Sequence, residues 1–128
     1  MKNILVVDED NYLRKQLSEI IKEHGFLRNI LEVNDAQEAM KLLKDNEGDI
    51  GLVMCNWQMT QISGLDFATW IGEHPNLRNI PIVFLTGHDL TEHIDQIMTS
   101  NANVEGFLFK PFKIDQFGLV VGSLLKNS

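Results

Sequence analysis

With 128 residues and a formal net charge of -7, the chain is sized for one domain and ill suited to nucleic acid, since neutralising phosphates takes clustered Lys and Arg that it lacks. Its single cysteine, Cys55, excludes an internal disulfide, and no apolar run approaches the roughly 20 residues that a membrane span needs. A soluble, cytoplasmic monomer or weak dimer is expected, with residues 1–128 as one domain and too short an apolar start for a signal peptide.

Ile4-Leu5-Val6-Val7 is an unbroken apolar run ending in Asp8-Glu9-Asp10, the habit of a strand covered on both faces. Asp10 reads as a helix cap. Leu13, Leu17, Ile20 and Ile21 recur at helical spacing, with Arg14, Lys15, Glu19 and Lys22 on the other side and Gly25 as the C-terminal cap. Ile30 to Val33 is a weaker strand. Asn34 and Gln37 have capping-box spacing before a helix carrying Ala36, Ala39, Met40, Leu42 and Leu43 to about Lys44, and Asp45 to Gly48 is a turn. Ile50 to Cys55 is the third strand, with Cys55 an inert core thiol, and Asn56 to Ser63 is a loop. Gly64 to Gly72 is a short helix with Leu65, Ala68 and Ile71 inward, closed by His74-Pro75.

Ile82 to Leu85 is the fourth strand, left at Thr86-Gly87. Asp89 with Glu92 starts the next helix, which ends at a left-handed Asn101. Gly106 to Phe109 is the fifth strand, ending at Lys110-Pro111. Ile114, Phe117, Val121, Leu124 and Leu125 form the buried stripe of the last helix. Five strand–helix units with short connections predict an α/β domain: a doubly wound, five-stranded parallel sheet with five helices.

In such sheets ligands bind beyond the carboxyl ends of the strands, where strand order reverses. That rule selects Asp8 and Glu9, Asn56, Thr86 and Lys110. Two adjacent carboxylates suit Mg²⁺, a lysine offers a point charge to a phosphoryl oxygen, and a threonine offers a hydrogen bond. His24, His74, His88 and His93 share no metal-ligand spacing, and Trp57 and Trp70 read as packing residues.

These pieces, together with Trp57-Gln58-Met59, Gly64-Leu65 and Phe107-Leu108-Phe109-Lys110-Pro111-Phe112, make the chain resemble the receiver domain of response regulators, of the chemotaxis-regulator type. The resemblance spans essentially the whole chain and implies the flavodoxin-like receiver fold. It implies that Asp8, Glu9 and the backbone carbonyl of Gln58 hold Mg²⁺, and that Thr86 and Lys110 contact a phosphoryl group. It places a switch aromatic at Phe107, a cis peptide between Lys110 and Pro111, and a partner surface on the fourth helix, fifth strand and fifth helix. A histidine kinase, an effector domain or another signalling protein would dock there.

One departure matters most. Asn56 stands where the family's phosphoaccepting aspartate is expected, and an amide oxygen is a poor nucleophile. It also withdraws a negative charge from the expected Mg²⁺ site, which weakens it. Thr60 stands where proline is usual, and Ser63 where an acid is common. Three accounts of Asn56 remain open: a natural receiver that works without phosphorylation, a phosphorylatable receiver of a phosphorelay in which Asn56 is an introduced change or another acceptor is used, or a harmless amide in a protein that merely resembles the family. A small α/β enzyme or flavin binder is a further alternative, against which stand the missing Gly-rich phosphate loop and the missing nucleophile–base pair. If binding is what remains, Gly118, Leu119 and Gly122 on the last helix are the interface candidates. The glycines form a shallow flank and Leu119 points away from the buried stripe.

Overall fold

Four residues of the first strand, Ile4 to Val7, are wholly buried, which a strand achieves only with helices on both of its faces. The computed structural model describes residues 2–23, 29–87, 94–101, 103–110 and 114–126, the side chains of Ile114, Leu125 and Lys126 excepted. The elements run β1 (Asn3–Val7), α1 (Asn11–Glu23), β2 (Ile30–Val33), α2 (Ala36–Asp45), β3 (Ile50–Asn56), α3 (Gly64–Glu73), β4 (Ile82–Thr86), α4 (Ile94–Ser100), β5 (Val104–Phe109) and α5 (Ile114–Lys126). The strands form one parallel sheet in the order β2-β1-β3-β4-β5. This is the doubly wound α/β fold that the alternation of elements predicts.

Strand alternation splits the core in two. Ile4, Val6, Leu52, Met54, Val83 and Leu85 face Leu17 and Ile21 of α1 and Phe117 and Val121 of α5. Leu5, Val7, Val53, Cys55 and Phe84 face Ala39 and Leu43 of α2, Phe67 and Ile71 of α3 and Ile97 of α4. The direction in which strands are added to the sheet reverses at β1, with β2 on one side of it and β3 on the other, so the crevice at the carboxyl ends of β1 and β3 is the place for a site. Among the described residues no helix is long and apolar enough to cross a membrane.

Several local expectations are corrected. The cap of α2 is Asp35, whose side chain accepts the Glu38 N–H at 2.8 Å while Glu38 reaches back to the Asn34 N–H at 2.9 Å, one residue on from the Asn34–Gln37 pair. In α3 the inward residues are Phe67, Ala68 and Ile71, and Leu65 is exposed. Asn101 is not left-handed; its side-chain and backbone N–H groups both bond the Ile97 carbonyl, closing α4 without a change of handedness. Arg14 is buried rather than solvated. The expected turn is present, with Gly48 at φ 89°, a backbone that favours glycine. The Gly25 cap, the Asp89–Glu92 pair, the Lys110–Pro111 peptide, Phe112, His24, His88 and His93 lie outside the described residues.

Candidate functional site

Asp8 follows the last residue of β1 and is almost completely buried. One carboxylate oxygen accepts the Asp10 N–H at 2.9 Å; the other lies 3.3 Å from the Lys110 ammonium. Asp10 itself caps α1, accepting the N–H groups of Tyr12 and Leu13, as expected of an acid at a helix start. Lys110 arrives at the end of β5, and its N–H donates to the Thr86 carbonyl at 2.7 Å, which fastens that end to buried Thr86 on β4. Of the two acids offered by strand one, the lysine pairs with Asp8.

Asn56 ends β3 and bonds in two directions. Its Oδ1 accepts from the Lys110 Nζ at 3.2 Å, and its Nδ2 donates to the Gln58 carbonyl at 2.8 Å. Lysine can only donate and a carbonyl can only accept, so the amide satisfies both neighbours at once, which an ionised carboxylate cannot. A carboxylate in this pose would turn an oxygen on the Gln58 carbonyl. Glu9 is engaged by another partner: its Oε1 accepts the Thr60 N–H at 2.7 Å and the Thr60 hydroxyl at 3.0 Å.

As a receptor for a divalent cation the donors do not fit as they lie. The Gln58 carbonyl is capped by an amide N–H, one oxygen of Glu9 is committed to Thr60, and Asp8 shares its charge with Lys110. Among the described residues no group of three or more His, Cys, Asp or Glu is placed to hold a metal ion.

Aromatic packing floors the site. Trp57 meets Phe84 edge-on, with centroids 5.0 Å apart, and lies 6.3 Å from buried Phe107, which contacts Phe84 at 5.8 Å. Trp70 packs on His74 at 4.2 Å, so both tryptophans serve packing. Gly64 lets the loop from Trp57 close on α3: a Cβ there would lie 2.8 Å from the Trp57 carbonyl oxygen. Burial raises the Cys55 thiol well above its ordinary value, with the Asp8 charge adding to the effect, so the thiol stays protonated and inert. The open cleft beside the site, about 660 Å³, is lined by Glu9, Trp57, Met59, Thr60 and Leu65 among others.

Two residues escaped the sequence reading. Arg14 braces the β1–α1 turn, donating to the Asp8 carbonyl, to Asn11 Oδ1 at 2.9 Å and to Glu32 Oε1 at 3.3 Å. The signal for it was Glu32, an acid inside an otherwise apolar strand. Thr60 stands out in the sequence only as a departure from proline, and nothing in its spacing points to its bonds to Glu9. Asp8, Asn56, Gln58 and Lys110 are brought together by hydrogen bonds; Gly118, Leu119 and Gly122 lie on α5, where Leu119 is 81% exposed and a Cβ on Gly122 would meet no atom within 4 Å.

A parallel five-stranded α/β domain with an acid and a lysine converging at its switch point defines the class of a signalling receiver. The model of the response regulator receiver domain matches residues 4–121, and the chain belongs to that family. It is 30% identical over 109 residues to chemotaxis protein CheY-3 of Vibrio cholerae, covering 85% of this chain and 80% of that protein. It is 26% identical to chemotaxis protein CheY of Pseudomonas aeruginosa, covering 85% and 84%. In fold it is similar to a response regulator receiver domain protein from Clostridium thermocellum (TM-score 0.84, 17% identity, 99% and 96% of the two chains) and to CheY4 of Vibrio cholerae (0.81, 19%, 97% and 98%). Receiver domains are signalling modules of two-component systems rather than typical enzymes. They work with histidine kinases and effectors and generally bind Mg²⁺ at the phosphorylation site.

Proposed function

We propose that this receiver signals without accepting a phosphoryl group, through protein contacts alone. Asn56 takes the acceptor's position in this reading, and the observation that carries it is the amide bonded to Lys110 on one side and to the Gln58 carbonyl on the other. An amide held that way has no carboxylate oxygen to attack phosphohistidine, and forms no acyl phosphate. Mg²⁺ affinity is weakened with it, because one carboxylate charge is missing and the Gln58 carbonyl is engaged. Phe107 and Thr86 then stay in one arrangement, with Lys110 neutralising Asp8 in place of a phosphoryl-dependent rearrangement.

The partner is a histidine kinase, an effector domain or another signalling protein of the cytoplasm, docking on α4, β5 and α5. Leu119, 81% exposed, and half-exposed Phe109 supply apolar surface there, and the glycine flank of Gly118 and Gly122 admits close approach of another backbone. Incubation with a small-molecule phosphodonor and Mg²⁺, read by intact mass, tests the reading. The mass is expected to stay unchanged; a stable gain of one phosphoryl group on the wild-type chain overturns it.

A further inference from the structure

Glu9 and Thr60 are 51 positions apart in sequence, yet both donors of Thr60 end on one oxygen of Glu9. Glu9 is exposed, and an exposed carboxylate one residue past Asp8 is ordinarily free to turn toward the crevice. Here its Oε1 is held by a main-chain N–H at 2.7 Å and a hydroxyl at 3.0 Å. Hydrogen bonds to an ionised acceptor are about twice as strong as neutral ones. This clamp shares no atom with the Asn56 network, which runs from Lys110 to the Gln58 carbonyl.

We infer that Thr60 is a positioning residue that holds Glu9 away from the crevice, a second and separate block to divalent-cation binding. Replacing the amide at position 56 with a carboxylate therefore leaves the cation site incomplete until Thr60 also lets go. The inference rests on the reading of Asn56 given above and deepens it: the pocket is closed at two points.

Calorimetric titration with MgCl₂ alone tests this on the wild type, Asn56→Asp, Asn56→Asp with Thr60→Pro, and Asn56→Asp with Thr60→Val. Proline removes the N–H and the hydroxyl together, and valine removes only the hydroxyl while keeping the shape. Relative to Asn56→Asp, the proline pair is expected to bind Mg²⁺ about tenfold more tightly and the valine pair about threefold, the scale of losing two or one charge-assisted hydrogen bonds that compete with the ion. If both pairs bind as Asn56→Asp does, the inference fails, and the reading of Asn56 stands. If the proline pair does not fold, the isosteric valine pair decides by the same comparison. A Thr60 that only staples its loop would lower the melting temperature of these variants and leave the Mg²⁺ affinity where Asn56→Asp has it. A phosphoryl adduct on the wild type would instead sink the proposed function, whatever Thr60 does.

Discussion

Lys110→Met is expected to destabilise the fold by about 2–3 kcal/mol, measured by urea unfolding. Asp8 is 2% exposed, and the ammonium at 3.3 Å is the charge that offsets its burial. Removing one partner of a buried pair costs about 3–5 kcal/mol because the survivor keeps its charge without compensation. The lower figure applies here because the Lys110 side chain is 19% exposed and Asp8 retains the Asp10 N–H. Asn56 Oδ1 also loses its donor. Adding Asp8→Asn to Lys110→Met neutralises the stranded acid, so the double variant is expected to recover most of the loss, a strong non-additivity between contacting residues. Equal stability of wild type and Lys110→Met would mean that the pair contributes nothing.

Gly64→Ala is expected to cost about 2–3 kcal/mol, at the upper end for overpacking. Its Cβ would lie 2.8 Å from the Trp57 carbonyl oxygen and 2.9 Å from the Phe84 ring, and the first of these is backbone that cannot swing aside. The loop carrying Gln58 and Thr60 would have to move off α3. Gly122→Ala is the control. Nothing lies within 4 Å of that Cβ, so alanine is expected to stabilise α5 by up to about 1 kcal/mol through helix propensity. Opposite signs for the two substitutions in thermal melts support the close approach at Gly64; similar small effects would contradict it.

The apolar runs at Ile4–Val7, Ile50–Cys55 and Ile82–Leu85 made the parallel sheet legible, since only strands covered on both faces can be apolar throughout. The site residues were legible for a topological reason, because a doubly wound sheet gathers its strand ends at one crevice. Local detail was lost where two patterns overlap. Asn34–Gln37 and Asp35–Glu38 both have capping spacing, and the pair of carboxylates, the stronger acceptors, prevailed. In α3 the stripe runs through Phe67, Ala68 and Ile71 rather than through Leu65, a phase that ten residues starting on a glycine leave ambiguous. Arg14 and Thr60 were hidden for another reason. Their partners, Glu32 and Glu9, are 18 and 51 residues distant, and no spacing rule reaches that far.

The most direct test of a closed pocket is a titration of the isotope-labelled wild-type chain with Mg²⁺ and beryllofluoride, followed by amide NMR. Beryllofluoride mimics a phosphoryl group only when it bonds a carboxylate oxygen beside a divalent cation. With an amide at position 56 and Glu9 held by Thr60, the signals of Asp8, Asn56, Thr86, Phe107 and Lys110 are expected to stay in place at saturating reagent. Saturable shifts at those positions would show that the pocket still accepts the group and would contradict a receiver fixed in one state.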